Sequence, residues 1–420
     1  MSKMDKIEGF SVQKLVDDFG SPLFIVSAKT IRDNLNRFRS EFSTRYPKVE
    51  VAYSYKVNCL SEVLKIIHDE GAWAEVASGY EYELARSVGV SGKSIVFNGP
   101  YKKRGEIEKA IEEGALINVD NESELRLLEK IASTCQKPIE VGIRINTDVG
   151  INQLPDRFGF NIESGRALDV VSYCTRKTPI KIVGVHIHLT SYVISPEVLN
   201  SNTPSKSIEL IWPKHSGFYR LASRRVTDFA EEIRKSVGIT LKYIDMGGGY
   251  PALDSIAPYA DAIAEPILRV FDHDQPLLIL EPGRAIVNDA VQMITTVVDV
   301  AEPINKIRSI VVDAGINTVP TSSWKFQDIE PLDRSRGNLR QTIVYGPLCL
   351  QTDILGITEL PDLNVGDRVL IKNVGAYNIP QSSSFIFPRP SIVLIDKNEI
   401  RVLRRSETMH EILSPESQIS

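Results

Sequence analysis

The chain has 420 residues, 42% of them hydrophobic and 25% charged, with a net charge of −5 at pH 7. That is the composition of a soluble globular protein too long for one ordinary core, with both signs of charge interspersed and no basic stripe for nucleic acid. No apolar run approaches membrane-spanning length, the acidic opening does not read as a signal peptide, and the four cysteines show no metal-type pairing. A reduced, cytoplasmic protein with no nucleic-acid or membrane partner is the expectation.

From Val51 to about Glu281, short β-favouring runs alternate with helical patterns. The predicted strands cover 51–56 ("VAYSYK"), 73–78, 94–99, 116–120, 140–146, 182–189, 241–246 and 277–283. Between them, Leu60, Val63, Leu64 and Ile67 share one helical face that Gly71 ends. Ile107, Ala110 and Ile111 repeat the pattern before Gly114, and Val226, Phe229, Ala230 and Ile233 do so later. This repetition predicts an α/β fold, a (β/α)8 TIM barrel over residues 30–287. An open doubly wound sheet is the rival, but its phosphate loop would follow the first strand, and "SYKVNCLSE" there holds no glycine.

After about residue 288 the runs "QMITTVVDVAE", "IRSIVVDAG", "QTIVYGP", "RVLIKNVG", "SIVLIDKN" and "EIRVLRR" are β-type and separated by turns. They predict a second, mostly β domain over 288–420, which residues 1–29 are expected to join. The proline-interrupted stretch 195–217 is predicted to be a long loop before the seventh barrel strand.

In such a barrel, chemistry collects where strands end and loops begin. Those positions hold Lys56, Glu75, Ser78, Asn98, Asp120, Arg144, His188, Ser191, the glycines Gly247, Gly248 and Gly249, then Glu281, Gly283 and Arg284. A lysine at a strand end more often reaches water along its apolar stem, and an acid beside an arginine is as often a buried ion pair. His186 and His188 share one side of a strand, with no third ligand spaced nearby to suggest a metal. Together, however, a strand-end amine, a carboxylate and a glycine loop match the three handles of pyridoxal 5'-phosphate: its aldehyde, ring nitrogen and phosphate.

The motifs "YSYKVN", "EVASGYEYELARSVGV", "VFNGPYKK", "IRINTD", "RFGF", "GVHIHLTS", "IDMGGGYP", "EPGR", "VDAGIN", "GPLCLQTDIL" and "GAYNIPQSSSF" run through nearly the whole chain in order. In that series the chain resembles the fold-type III pyridoxal-phosphate decarboxylases, the group of diaminopimelate, ornithine and arginine decarboxylases. The resemblance implies that Lys56 carries the cofactor as a Schiff base and that His188 stacks on its ring. It also implies that Glu281 pairs with the ring nitrogen and that Arg144 lies nearby. Ser191, Gly247–Gly249, Gly283, Arg284 and Tyr377 would surround the phosphate. Cys349 would protonate the α carbon from the neighbouring subunit of a homodimer, and Asp313, Leu350 and Asp353 would lie toward the substrate.

Three positions depart from the family's pattern. Leu350 follows the cysteine where an acid is usual, and Val319 precedes Pro320 where diaminopimelate enzymes carry arginine. Thr190 also replaces a usual glycine. The resulting expectation is decarboxylation of an amino acid or a conjugated or carrier-bound one, in siderophore or antibiotic-like biosynthesis. Diaminopimelate, ornithine or lysine decarboxylation is the alternative. A racemase on the same barrel and a non-catalytic binding protein are the rivals from other classes.

Overall fold

The computed structural model describes residues 6–135, 137–150, 157–189, 216–252, 255–304, 307–332 and 336–416. Two compact units result, one of residues 35–56 and 64–285, the other of 1–34, 57–63 and 286–420.

The first unit is a closed barrel of eight parallel strands: β1 (Val49–Ser54), β2 (Trp73–Val76), β3 (Ile95–Phe97), β4 (Leu116–Val119), β5 (Ile139–Asn146), β6 (Ile180–His186), β7 (Tyr243–Asp245) and β8 (Leu277–Leu280). Pairing of β8 with β1 closes the ring. Each overlaps the run expected from its apolar content, with ends shifted by up to a few residues. Continuous runs such as "IVF" and "LLIL" suit strands buried on both faces.

The intervening helices present one apolar face to the strands. In Glu122–Ala132 that face is Leu125, Leu128, Ile131 and Ala132, and Asn121 caps the start by accepting from the Glu124 N–H at 3.1 Å. Arg104–Glu113 stops at Gly114, whose φ of 76° is left-handed. Tyr243 fills the lumen. A Cβ at Gly142 on β5 or Gly184 on β6 would lie 2.1 Å or 2.3 Å from it, so both glycines make room for one aromatic ring.

The second unit is a seven-strand path running Ile354–Asp362, Arg336–Tyr345, Ile307–Val312, Val291–Ile304, Leu23–Ser27, Ser391–Asp396, Glu399–Arg404, with Arg368–Lys372 and Asp328–Pro331 pairing off its centre. Leu23–Ser27 is buried throughout and pairs with Val291–Ile304 and Ser391–Asp396, which places this N-terminal segment inside the β sheet. Leu15, Leu23, Ile294, Leu370 and Val393 form its core. Among the described residues no helix is long and apolar enough to cross a membrane. The expected loop at 195–217 lies outside the described residues up to residue 215, and a helix, Ser216–Val237, begins after it.

Candidate active site

Strand β1 ends at Ser54, and one turn of 3-10 helix, Tyr55–Val57, carries Lys56 beyond it. Lys56 Nζ donates to Glu75 Oε2 at 2.6 Å and to Ser54 Oγ at 2.7 Å. The Glu75 side chain is 2% exposed and that of Lys56 is 39% exposed, so a buried carboxylate tethers an accessible amine. Asn98, just past β3, donates from Nδ2 to Glu75 Oε1 at 3.2 Å and to Glu281 Oε1 at 2.5 Å. Its own Oδ1 accepts from Asn118 Nδ2 at 2.9 Å. One polar network therefore joins the ends of β1, β2, β3, β4 and β8.

Glu281 follows β8 and is buried. Burial would raise its carboxyl pKa, but the His186 ring and Lys56 ammonium pull it below the ordinary carboxylate range. The neighbouring Asp245 moves the other way: burial and the Glu281 charge push its carboxyl well up. One atom each of His186, Asp245 and Glu281 lie within 4.8 Å of one another.

The glycine loop after β7 approaches backbone closely. Gly247 has φ of 63° and a Cβ there would lie 2.3 Å from Ile187 O, while a Cβ at Gly248 would lie 2.4 Å from Glu281 O. Gly249 is also left-handed, with φ of 92°. The Gly248 N–H donates to His188 Nδ1 at 3.1 Å, which leaves the ring proton on Nε2. His188 is correspondingly neutral, its pKa pushed down to about 3 by burial and by the Lys56 and Arg144 charges. Arg144 Nη1 lies 3.3 Å from Asp120 Oδ1, and its guanidinium packs over Phe158 at 4.4 Å. Gly283 is buried, and Arg284 opens the short helix Arg284–Val287. Ser191 and Thr190 lie outside the described residues.

In the β unit, Cys349 is exposed in the turn between Arg336–Tyr345 and Ile354–Asp362, and Leu350 beside it is 41% exposed. Asp353, expected toward the substrate, is instead buried. Its Oδ1 accepts from the Ile316 N–H at 2.7 Å and its Oδ2 from the Leu348 N–H at 2.8 Å, so its oxygens hold the cysteine turn in shape. Asp313 accepts from the Thr295 hydroxyl and, at 2.9 Å, from the Thr296 N–H, which likewise binds it to its own sheet. Val319 is fully buried. Tyr377 has a left-handed φ of 68° and donates its N–H to Val57 O at 2.7 Å, a strained position for a bulky residue.

The barrel mouth therefore offers an accessible amine, an ionised carboxylate, a neutral imidazole and a glycine loop whose Gly247 and Gly248 N–H groups are taken by Asp245 Oδ1 and His188 Nδ1. These groups fit pyridoxal phosphate: an aldehyde for Lys56, a protonated ring nitrogen for Glu281, a ring face for His188 and a phosphate beside the glycine loop. Sequence reasoning had not singled out Ser54, Asn118 or Asp245. The first two point inward at the mouth in register with Lys56 and Asp120, two residues along, and that spacing was a readable signal.

A family model described as the pyridoxal-binding domain of pyridoxal-dependent decarboxylases matches residues 29–205 and 214–288. Diaminopimelate decarboxylase of Methanocaldococcus jannaschii is 29% identical over 97% of this chain and 94% of its own length. That of Aquifex aeolicus is 27% identical over 98% of this chain and 96% of its own length. The crystal structure of the M. jannaschii diaminopimelate decarboxylase superposes with a TM-score of 0.87 at 28% identity, covering 98% of this chain and 95% of that one. The lysine/ornithine decarboxylase of Vibrio vulnificus, at 22% identity and a TM-score of 0.76, shares the fold. The chain belongs to the pyridoxal-dependent decarboxylases, and its cofactor is pyridoxal phosphate.

Proposed function

We propose that this amino-acid decarboxylase acts on diaminopimelate, removing one α-carboxylate. The observation that carries this reading is full-length similarity to diaminopimelate decarboxylases, at 27% and 29% identity, around a complete set of barrel-mouth residues. The relatives' names give no support to the siderophore or antibiotic-like role expected from the sequence.

Bound pyridoxal phosphate supplies an electron sink for the bond to the departing carboxylate. Lys56 would hold the cofactor, and Glu75 and Ser54 position its amine at the barrel mouth. Glu281, kept anionic by Lys56 and His186, retains a proton on the ring nitrogen and so keeps the sink strong. His188 covers one ring face without adding charge. The Gly247–Gly249 loop, Gly283, Arg284 and Ser191 would surround the phosphate, and Arg144 adds positive charge near His188. Cys349 of the partner subunit delivers the proton to the α carbon in a homodimer with shared sites. Cys135, Cys174 and Cys349 form no disulfide, in keeping with a reduced cytoplasmic setting.

A second reading, a bulkier or conjugated substrate, is favoured by Leu350 and Val319, apolar side chains where a doubly charged distal end would need partners. Carbon dioxide release from diaminopimelate, ornithine, lysine, arginine and N-acylated or thioester-linked amino acids separates the two. Turnover of diaminopimelate at least 10-fold faster (kcat/KM) than of any other supports the first reading, and turnover confined to conjugates overturns it. Racemised substrate with its carboxyl retained would overturn both.

A further inference from the structure

Two buried ionisable groups, His186 and Asp245, lie beneath the barrel mouth behind Glu281. His186 is the last residue of β6 and Asp245 the last of β7, and they are 1% and 0% exposed. Among the described residues neither His186 ring nitrogen has a hydrogen-bond partner, nor does Asp245 Oδ2. Native interiors leave few polar atoms in that state, because an unpaired buried one loses its hydrogen bonds to water without replacement.

Both orphans surround Glu281. His186 Nε2 is 3.5 Å from Glu281 Oε2, and the three residues each bring one atom within 4.8 Å of the others. Two buried carboxyls this close cannot both be charged. Geometry decides which one keeps the charge. Glu281 accepts from Asn98 Nδ2 at 2.5 Å and faces the imidazole, whereas Asp245 has a single donor, the Gly247 N–H at 2.9 Å on Oδ1. That leaves Oδ2 as the atom able to carry a proton and donate it.

We propose that Asp245 and His186 are positioning residues for Glu281. Asp245, protonated on Oδ2, and the His186 ring together hold the Glu281 carboxylate as a localised anion against Asn98, at the place of the cofactor's ring nitrogen. The proposal rests on Glu281 facing that nitrogen. It adds that the charge on Glu281 is maintained by a neutral acid behind it, so that three ionisable side chains act as one monoanionic unit.

The test begins with the cofactor-free protein, by infrared spectroscopy at neutral pH. A carbonyl band of a protonated carboxyl is expected in the natural chain and should vanish in Asp245→Asn. No such band, or one that survives in Asp245→Asn and vanishes in Glu281→Gln, would overturn the proposal. The second arm is cofactor affinity and absorbance. Asp245→Asn and His186→Leu should each weaken cofactor binding by about 10-fold, the scale of a lost hydrogen bond to a charged group, and shift the bound cofactor's band. They should also lower kcat more than they raise KM. If Glu281→Gln alone changes affinity and band while both other variants match the natural chain, the proposal fails and Glu281 keeps its role. If Glu281→Gln also changes nothing, the reading of Glu281 fails instead, and the infrared result still judges Asp245. Stoichiometric transition metal in the purified protein, held by these three atoms, would overturn the proposal as well.

Discussion

Lys56 Nζ sits 2.6 Å from Glu75 Oε2, an accessible amine tied to an acid that is itself buried at the end of the neighbouring strand. The Ser54 hydroxyl donates to the same oxygen, so Glu75 gathers two donors from one short stretch, "SYK". A carboxylate placed this way holds the lysine at the barrel mouth before any cofactor arrives. Removing its charge while keeping its shape should loosen the amine. Glu75→Gln is expected to weaken cofactor binding by about 10-fold to 100-fold, the range of a lost charge-assisted hydrogen bond. Titrating cofactor fluorescence against the apoprotein measures it.

Lys102 and Glu124 form a buried ion pair 2.6 Å apart, with side chains 0% and 4% exposed. Lys102 also donates to Gly99 O at 2.9 Å and Asn118 O at 3.1 Å, and Glu124 Oε2 accepts from the Asp120 N–H at 2.9 Å. Lys102→Met leaves an uncompensated buried charge and should cost about 3–5 kcal/mol in urea unfolding. Lys102→Met with Glu124→Leu should recover part of it. It cannot recover all, because the Asp120 N–H loses its acceptor.

Gly248 is irreplaceable for a different reason. A Cβ there would meet the Glu281 carbonyl at 2.4 Å, and backbone on both strands would have to separate. Gly248→Ala is expected to cost about 1–3 kcal/mol in stability and to weaken cofactor binding, since the loop that moves is the one aimed at the phosphate. Thermal unfolding with and without cofactor shows both. A smaller cofactor-induced gain in Tm than in the natural chain is the expected sign.

Glu407 clamps the loop 384–389. It accepts from Ser384 Oγ at 2.6 Å, from the Arg389 N–H at 2.9 Å and from Arg389 Nε at 2.6 Å. Between these anchors the Phe387 N–H returns to Phe385 O at 2.8 Å around Ile386, whose φ of 65° is strained for a β-branched residue. Burial would push the Glu407 carboxyl up, but the Arg389 and Ser384 bonds bring it down to about 2. A depressed carboxylate stabilises the fold above the ordinary value of about 4.3, and the contribution fades as pH falls from there towards about 2. Glu407→Gln should therefore lower stability by about 1 kcal/mol at neutral pH and flatten the acid slope in that window, as followed by urea unfolding against pH.

The barrel was legible because its strands are short apolar runs at regular intervals, and because chemistry at their ends stands out against them. Lys56, Glu281, His188 and the glycine run were singled out that way, and the structure places them around the barrel mouth. Asp353 was not legible, since a sequence cannot show that the distant Ile316 amide and the nearby Leu348 amide claim its two oxygens. Asp245 was hidden by the glycines after it, which drew attention to the loop instead of the last residue of the strand. Lys102 reads as an ordinary surface lysine until Gly99 and Asn118 are seen to close over it. In each case at least one deciding contact, such as Ile316 to Asp353 or Asn118 to Lys102, comes from another segment of the chain, and spacing carries no record of it.

Reduction with borohydride tests the central claim most directly. With pyridoxal phosphate bound, the reduced protein should lose its visible absorbance band and carry one pyridoxyl group per chain, on the peptide containing Lys56. Lys56→Ala should take up no such group. A pyridoxyl group on another lysine, or a visible band that borohydride leaves intact, would contradict the account.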